Sequence, residues 1–406
     1  MITTEILHFK ERLNQNTQKL FVSNIFQITA ESITNIFIAA FIWRFTESFY
    51  AVAFYQIGFY IALAAGFWVN GILLRKFYLK NIFLASTFLT GATSLIVLFF
   101  SESQQVLLFF LIGLMNAFGY GLYWPNRNYL ELKEIKDSSR NYYFSLINAV
   151  GWTTRALVPF IAGWFIVLGS NSGFYKVETA YWILFIFAFI LMIKAGLVIY
   201  KGNHVSPKPL IITRFKLQKF LNKRFLLNTS HGVVDGIGFI FAIIILIHLG
   251  DEGVLGTLTA VASILGSVVL YFYGKFSKET ARVKVSLVSN ILFLSGALSL
   301  VFLPSSVSFI SYILIGSIFS NLYYVGAEPI ILAESEIEMS NNEKEEYSFI
   351  FDNEFFLNFG RVVGILVFVL LVYVFSQSFA LKFGPLLVGL LQLVLLSFYL
   401  CLNKRN

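Results

Sequence analysis

The sequence predicts an all-α integral membrane protein, with twelve transmembrane helices arranged as two six-helix, pseudo-symmetric bundles. Three observations predict it. The 406 residues are 57% hydrophobic, 18% aromatic and only 13% charged, whereas a soluble domain carries about 25% charged residues. The apolar stretches have the length a helix needs to cross a bilayer, and are too long for strands. The basic residues between those stretches collect on alternate connections, the pattern of a chain threaded repeatedly through a membrane.

Spans are expected near 20–43, 51–73, 82–100, 105–126, 142–168, 179–200, 225–249, 253–274, 284–303, 306–333, 347–375 and 379–402. Residues 1–19 are polar, with no separate apolar segment or small-residue cleavage site, so span 1 itself is expected to direct insertion. Lys10, Arg12 and Lys19 precede span 1. Arg75, Lys76 and Lys80 follow span 2, Arg127–Arg140 follows span 4, and Lys201–Arg224 follows span 6. The opposite connections hold only Arg44, Lys176 and Lys382. By the positive-inside rule both termini are cytoplasmic, and the expected location is the plasma membrane. This distribution accounts for the net charge of +8 without a nucleic-acid partner.

The connection Lys201–Arg224, with Pro207 and Pro209, divides the chain. It leaves an N-terminal bundle of residues 1–200, a basic linker of 201–224 and a C-terminal bundle of 225–406. The linker reads as solvated chain that also meets anionic headgroups. Cys401, the single cysteine, excludes a disulfide framework and a cysteine-rich metal site. No P-loop, GxSxG or HExxH motif occurs, so neither ATP hydrolysis nor covalent chemistry is expected, and no cofactor.

Span 11 carries the densest polar signal. Between Tyr347 and Phe375 it holds Asp352, Asn353, Glu354, Asn358 and Arg361. An ionised side chain at the centre of a membrane helix costs roughly 2.5–3.5 kcal/mol, so such residues face protein or a wet cavity. Glu354, Asn358 and Arg361 are spaced i, i+4, i+7 and share one helical face. That face either lines something polar or holds helices together through a Glu354–Arg361 pair.

The two halves repeat weakly, at an offset of about 200 residues. Asn24 and Glu31 in span 1 match Asn228 and Asp235 in span 7. Gly121-Leu122-Tyr123-Trp124 in span 4 matches Asn321-Leu322-Tyr323-Tyr324 in span 10, and Asn148 with Arg155 in span 5 matches Glu354 with Arg361 in span 11. Parallel repeats of this kind place a binding site between the halves near mid-membrane, the depth expected for Glu31 and Asp235. Spans 3, 9 and 12 lack ionisable residues at depth, and span 6 has only Lys194 near one end. These four read as lipid-facing scaffold, and spans 1, 4, 5, 7, 10 and 11 as the polar set.

Twelve spans in a 6+6 duplication, cytoplasmic termini and a basic central connection resemble the major facilitator superfamily. The family's G-x-L-x-D-R-x-G-R-K motif between spans 2 and 3 corresponds to Gly71-Ile72-Leu73-Leu74-Arg75-Lys76-Phe77-Tyr78-Leu79-Lys80. Gly71, Leu73, Lys76 and Lys80 fit, whereas Arg75 stands in place of Asp and Tyr78 in place of Gly. The exporters' R-x-x-q-G of span 4 reads Asn116-Ala117-Phe118-Gly119. Their G-P-x-x-G-G of span 5 keeps only Pro159 and Gly163. The resemblance implies a divergent secondary transporter working by alternating access, and it does not carry a direction of transport.

Candidate residues follow. Glu31, Asp235 and Glu354 are the proton-coupling candidates, as carboxyls in membrane helices that could load and unload a proton; hydrogen-bonded helix packing is the simpler use of the same residues. Arg155 and Arg361, whose planar forks suit carboxylate or phosphate, are candidates to orient an organic solute, or pair internally. Asn35, Asn148 and Asn358 join them as substrate contacts, with Tyr123, Trp124, Tyr323 and Tyr324 as a gate, a stacking platform or an interfacial aromatic belt. His231 and Asp235, spaced i, i+4, make with Glu31 a candidate divalent-metal set. The acidic connection Glu334–Glu346 either latches the halves or is solvated charge. The function expected is proton-coupled transport of a small organic solute, anionic or amphipathic, by a monomer in the lipid bilayer. A divalent-metal exporter and a lipid flippase are the rival readings.

Overall fold

The computed structural model describes residues 13–100, 103, 105–207, 222–276, 281–342 and 346–403. Lys10, Arg12, the linker segment 208–221 with Pro209, and Glu343 and Glu345 of the acidic connection lie outside them, as do the side chains of Glu336, Glu338 and Glu346. Among the described residues the structure is helical without strands. Twelve segments are long and apolar enough to cross a membrane.

In chain order the helices are α1 (Gln15–Thr46), α2 (Phe49–Leu73), α3 (Leu79–Ile96, prolonged by a 3-10 turn Val97–Phe100), α4 (Val106–Glu134), α5 (Asp137–Asn171) and α6 (Val177–Tyr200). The second half has α7 (Lys223–Asp235), α8 (Ile240–His248), α9 (Glu252–Phe276), α10 (Arg282–Phe302), α11 (Ser306–Asn342), α12 (Glu346–Val374) and α13 (Gln377–Asn403). Inside a bilayer a helix satisfies its own backbone, which is why these apolar runs fold this way. Polar caps mark the ends outside it: the side chains of Asn14 and Asn222 accept from the Thr17 and Phe225 backbone N–H at 2.9 and 2.8 Å. Both asparagines open the first helix of their half.

Span 7 departs from the expected continuous helix. It is broken into α7 and α8 by Gly236-Ile237-Gly238-Phe239. Tight i→i+3 bonds carry the backbone through the break, Gly238 N–H to the Asp235 carbonyl at 3.0 Å and Ile240 N–H to the Ile237 carbonyl at 3.0 Å. Glycine lowers helix propensity by roughly 1 kcal/mol per residue, and two in three positions weaken the helix here.

Within the N-terminal half, α3 and α4 are joined by Asn116, whose Nδ2 donates to the Thr90 carbonyl, Thr93 Oγ1 and Ser94 Oγ at 2.9–3.1 Å. The halves meet through α5 against α9 and α2 against α12. Glycines make the first contact close: a Cβ added to Gly163 would lie 2.1 Å from the Glu252 carbonyl oxygen, and one on Gly256 2.2 Å from that of Pro159. On the face that bears the short 47–48 connection, Arg44 Nη1 pairs with Glu252 Oε2 at 3.2 Å. Tyr181 donates to Glu252 Oε1 at 3.0 Å, and Phe49 packs on Phe239 and Phe368. These contacts tie the two halves together on that face.

Arg224 corrects the linker's edge. Expected among the solvated basic residues, it is fully buried in the first turn of α7. There it lies 3.8 Å from Asp352, donates to Asn353 at 3.0 Å and stacks on Phe349. A charge this buried needs such partners, since an unpaired one costs several kcal/mol. Glu334 of the acidic connection pairs with Lys223 of its own half at 3.1 Å, not across to the other half.

Candidate functional site

A cavity of about 790 Å³ lies between the halves. Its wall draws on α1, α2 and α4 from the first half and on α7, α8, α9, α11 and α12 from the second. No residue of spans 3, 6, 9 or 12 lines it, in keeping with their scaffold reading. Span 5, expected in the polar set, does not line it either. Spans 2 and 8, not expected there, do, through Gln56, Tyr60, Thr259 and Ser263.

Glu31 falls at the middle of the 32-residue α1 and is buried against the cavity. Gln27, one turn back, donates to its Oε1 at 2.9 Å. The positive charges of Arg127 and Arg155 bear on it. Arg127 is itself committed, donating to Glu131 at 2.8 Å and lying over the Trp124 ring at 5.0 Å.

Across the cavity the break in span 7 sets Asp235 at a helix end facing α12. Arg361 Nε donates to Asp235 Oδ2 at 2.7 Å. Its Nη1 donates to Asn358 Oδ1 at 2.9 Å, and its guanidinium lies 4.9 Å from the Tyr60 ring centre on α2. Three glycines permit this approach. A Cβ on Gly232 would lie 2.1 Å from the Leu357 carbonyl oxygen, one on Gly236 2.3 Å from that of Arg361, and one on Gly360 2.3 Å from that of Thr229. The pair that binds Arg361 is therefore Asp235, and not Glu354 as the i, i+7 spacing suggested. Glu354 instead accepts from Asn358 Nδ2, through its carbonyl at 2.8 Å and its carboxylate at 3.4 Å.

Of the residues singled out in the sequence, Glu31, Asn35, Trp124, His231, Asp235, Tyr324, Glu354 and Arg361 line this one cavity. Asn35 accepts from Tyr120 at 3.4 Å. The others do not line it. Tyr123 is buried within its own half, donating to Asn24 at 3.4 Å and packed on Phe83. Tyr323 shares a hydrogen bond with Ser230 and is fully buried. Asn358 stands behind the wall as the bracket between Glu354 and Arg361. Asn148 and Arg155 are exposed on α5 outside the lining, with Arg155 over the Trp152 ring at 5.9 Å. Aromatic residues next to each other in sequence point to different sides of a helix, so only one of each Tyr–aromatic pair can line the cavity.

The metal set is not assembled. Among the described residues no three His, Cys, Asp or Glu side chains gather as metal ligands. Asp235 is spent on Arg361, and His231 lies against Tyr323 and Tyr324 with ring centres 5.8 and 5.3 Å apart. Beside Gln56, Arg127, Thr259 and Ser263, the sequence reading misses Tyr60 in the lining and Glu328 behind it. Tyr60 carries no charge to betray it in an aromatic-rich span. Glu328, half-buried on α11, bears electrostatically on Glu354. Its signal is an acid inside an apolar span directly before Pro329.

The sequence profile described as Major Facilitator Superfamily matches residues 20–333. A curated relative, the uncharacterized protein YqgE of Bacillus subtilis (strain 168), is 24% identical over 366 residues, covering 88% of this chain and 83% of that protein. Among solved structures, the nucleoside transporter NupG superposes with a TM-score of 0.67 at 15% identity, over 96% of this chain and 100% of that one. A bacterial metal transporter superposes with a TM-score of 0.62 at 10% identity, over 95% and 99%. The cavity between two six-helix halves is thus set in the transporter architecture that the profile describes, and the chain belongs to the major facilitator superfamily.

Proposed function

We propose that this protein is a secondary active transporter that moves a small organic solute across the plasma membrane by alternating access, driven by protons. Membership of the superfamily supports transport rather than enzymatic chemistry. The observation that carries the finer reading is the gathering of Glu31, Asp235, Glu354 and Arg361 around one cavity between halves tied together by the Arg44–Glu252 pair. Such charges are costly in lipid and mark solute or proton routes. The units proposed to rock against each other are residues 1–200 and 225–406, joined by the 201–224 linker, with both termini cytoplasmic.

In this mechanism Glu31 and Glu354 exchange protons with the cavity, while Asp235 alternates between Arg361 and a proton. Loss of the Asp235–Arg361 pair frees α12 from α7 at the break, where the backbone is best able to bend. Proteoliposomes carrying the purified protein test this. A pH gradient should drive solute flux, and Glu31→Gln with Asp235→Asn should abolish the gradient's effect. Flux that follows the gradient unchanged in that double variant refutes proton coupling through these groups.

One observation favours the flippase as a second reading. A further hollow of about 660 Å³ is lined by Tyr50, Phe54, Leu366, Leu370 and Tyr373, at the seam of α2 and α12. Scrambling of a fluorescent lipid in the same proteoliposomes, lost on Phe54→Trp, separates it from solute transport.

A further inference from the structure

The charges lining the cavity differ in how far they are already answered. Arg361 spends Nε on Asp235, Nη1 on Asn358 and its face on Tyr60. Arg127 spends itself on Glu131 and the Trp124 ring. Arg361 has spent two of its three nitrogens in this way, whereas Arg127 keeps a buried Nε without a hydrogen-bond partner. The carboxylates are answered less evenly. Asp235 and Glu131 have arginine partners, but Glu31 is hydrogen-bonded by Gln27 and Glu354 by Asn358, both neutral amides. No cation lies within ion-pair distance of Glu31 or Glu354 among the described residues, and both face the cavity. At longer range Arg127 and Arg155 bear on Glu31, and Arg361 bears on Glu354.

Apolar side chains stand between the polar ones of the wall. Phe59 and Tyr120 pack together at 5.6 Å on one side, and Phe239, Ile245 and Leu255 stand on the other. Two carboxylates without an ion-pair partner, among aromatic and aliphatic side chains, suit a ligand with positive charge and apolar body. Coulomb attraction supplies the first, and apolar burial with ring faces supplies the second. An anionic ligand would meet those same carboxylates beside guanidinium groups whose charge Asp235 and Glu131 already balance.

We propose that the cavity binds an organic cation, its charge balanced by the carboxylates of Glu31 and Glu354 and its apolar body packed against Phe59, Tyr120 and Phe239. This rests on the transporter reading only for the claim that the bound cation is then carried.

Tetraphenylphosphonium and tetraphenylborate test it, being nearly identical in shape and opposite in charge. Binding of each is measured by calorimetry on the purified full-length protein in nanodiscs, with empty nanodiscs as the blank for lipid partition. The phosphonium should bind at least tenfold more tightly than the borate. Glu31→Gln and Glu354→Gln should each weaken the phosphonium by about tenfold, and Glu31→Asp, which keeps the charge, by less. Equal or tighter binding of the borate overturns the proposal, as does phosphonium affinity indifferent to both glutamine variants. If a glutamine variant fails to fold, the wild-type preference between the two ions still decides. Cation binding without any flux in proteoliposomes would uphold the cation site and refute the transporter reading instead.

Discussion

Arg361 donates from Nε to Asp235 across 2.7 Å, joining α12 to the last residue of α7 before span 7 breaks. The bond sits in a stretch where the two helices approach backbone to backbone, because Gly232, Gly236 and Gly360 leave no Cβ between them. A charge pair, a helix break and a glycine seam therefore coincide at one point of the cavity wall.

Breaking that pair from one side should destabilise the protein. Removing one partner of a sealed ion pair costs about 3–5 kcal/mol, but the Asp235 side chain is 36% exposed and the Arg361 side chain 17%. Arg361→Ala is therefore expected to cost about 1–3 kcal/mol, the solvated share discounted. The double variant Asp235→Asn with Arg361→Gln should recover most of that loss. Thermal unfolding in detergent measures both, and a double variant no better than Arg361→Ala would show that the pair is not the source of stability.

The glycine seam should tolerate no side chain. Gly236→Ala puts a methyl 2.3 Å from the Arg361 carbonyl oxygen, which is backbone and cannot swing aside. Overpacking of this kind costs roughly 1–3 kcal/mol. Gly274→Ala, inside α9 where an added Cβ meets nothing within 4 Å, is the matched control and should hold or raise the melting temperature, alanine being the better helix former.

How much of this is legible in the sequence differs by element. Twelve spans and the two-half arrangement follow from apolar length, and the cavity acids Glu31, Asp235 and Glu354 from the cost of charge in lipid. The partner of Arg361 is not legible: i, i+7 spacing favours Glu354 on its own helix, whereas Asp235 comes from a helix brought near only by the glycine seam. Arg224 and Arg127 read as loop charges because a basic residue near a span end looks the same whether it is solvated or paired inside the protein. Arg155 matches Arg361 in the repeat, yet its helix turns it out of the lining. Rotation about a helix axis is set by packing, which a single sequence does not encode in its charges.

The face of the 47–48 connection should open more readily when its contact between the halves is cut. Arg44 is 39% exposed and Glu252 1% exposed, so the pair is half-solvated. Tyr181 adds a second bond to the same carboxylate. Glu252→Gln is expected to shift the balance of open faces by about 1–1.5 kcal/mol, or roughly tenfold in population. Labelling of a cysteine placed at Ala242, on the cavity wall, from the face of the 47–48 connection reports it. Unchanged labelling there would show that Glu252 does not hold the halves together.

Metal should not act at His231. With Asp235 held by Arg361 and no third ligand gathered among the described residues, manganese or zinc is expected to leave the melting temperature within about 1 °C in both wild type and His231→Ala, the shift of a negligible binding energy. A metal-induced rise lost in His231→Ala would restore the metal set.

The most direct measurement is the accessibility of the cavity itself from each side. Cys401, the single cysteine, is exposed and can be replaced by serine. Ser317→Cys then places one thiol on the cavity wall. Oriented vesicles are treated with a membrane-impermeant maleimide from one face and then from the other, at two pH values. Labelling from both faces, in proportions that pH inverts and Glu31→Gln freezes, is the result expected of proton-driven alternating access. Labelling confined to one face under every condition would contradict it.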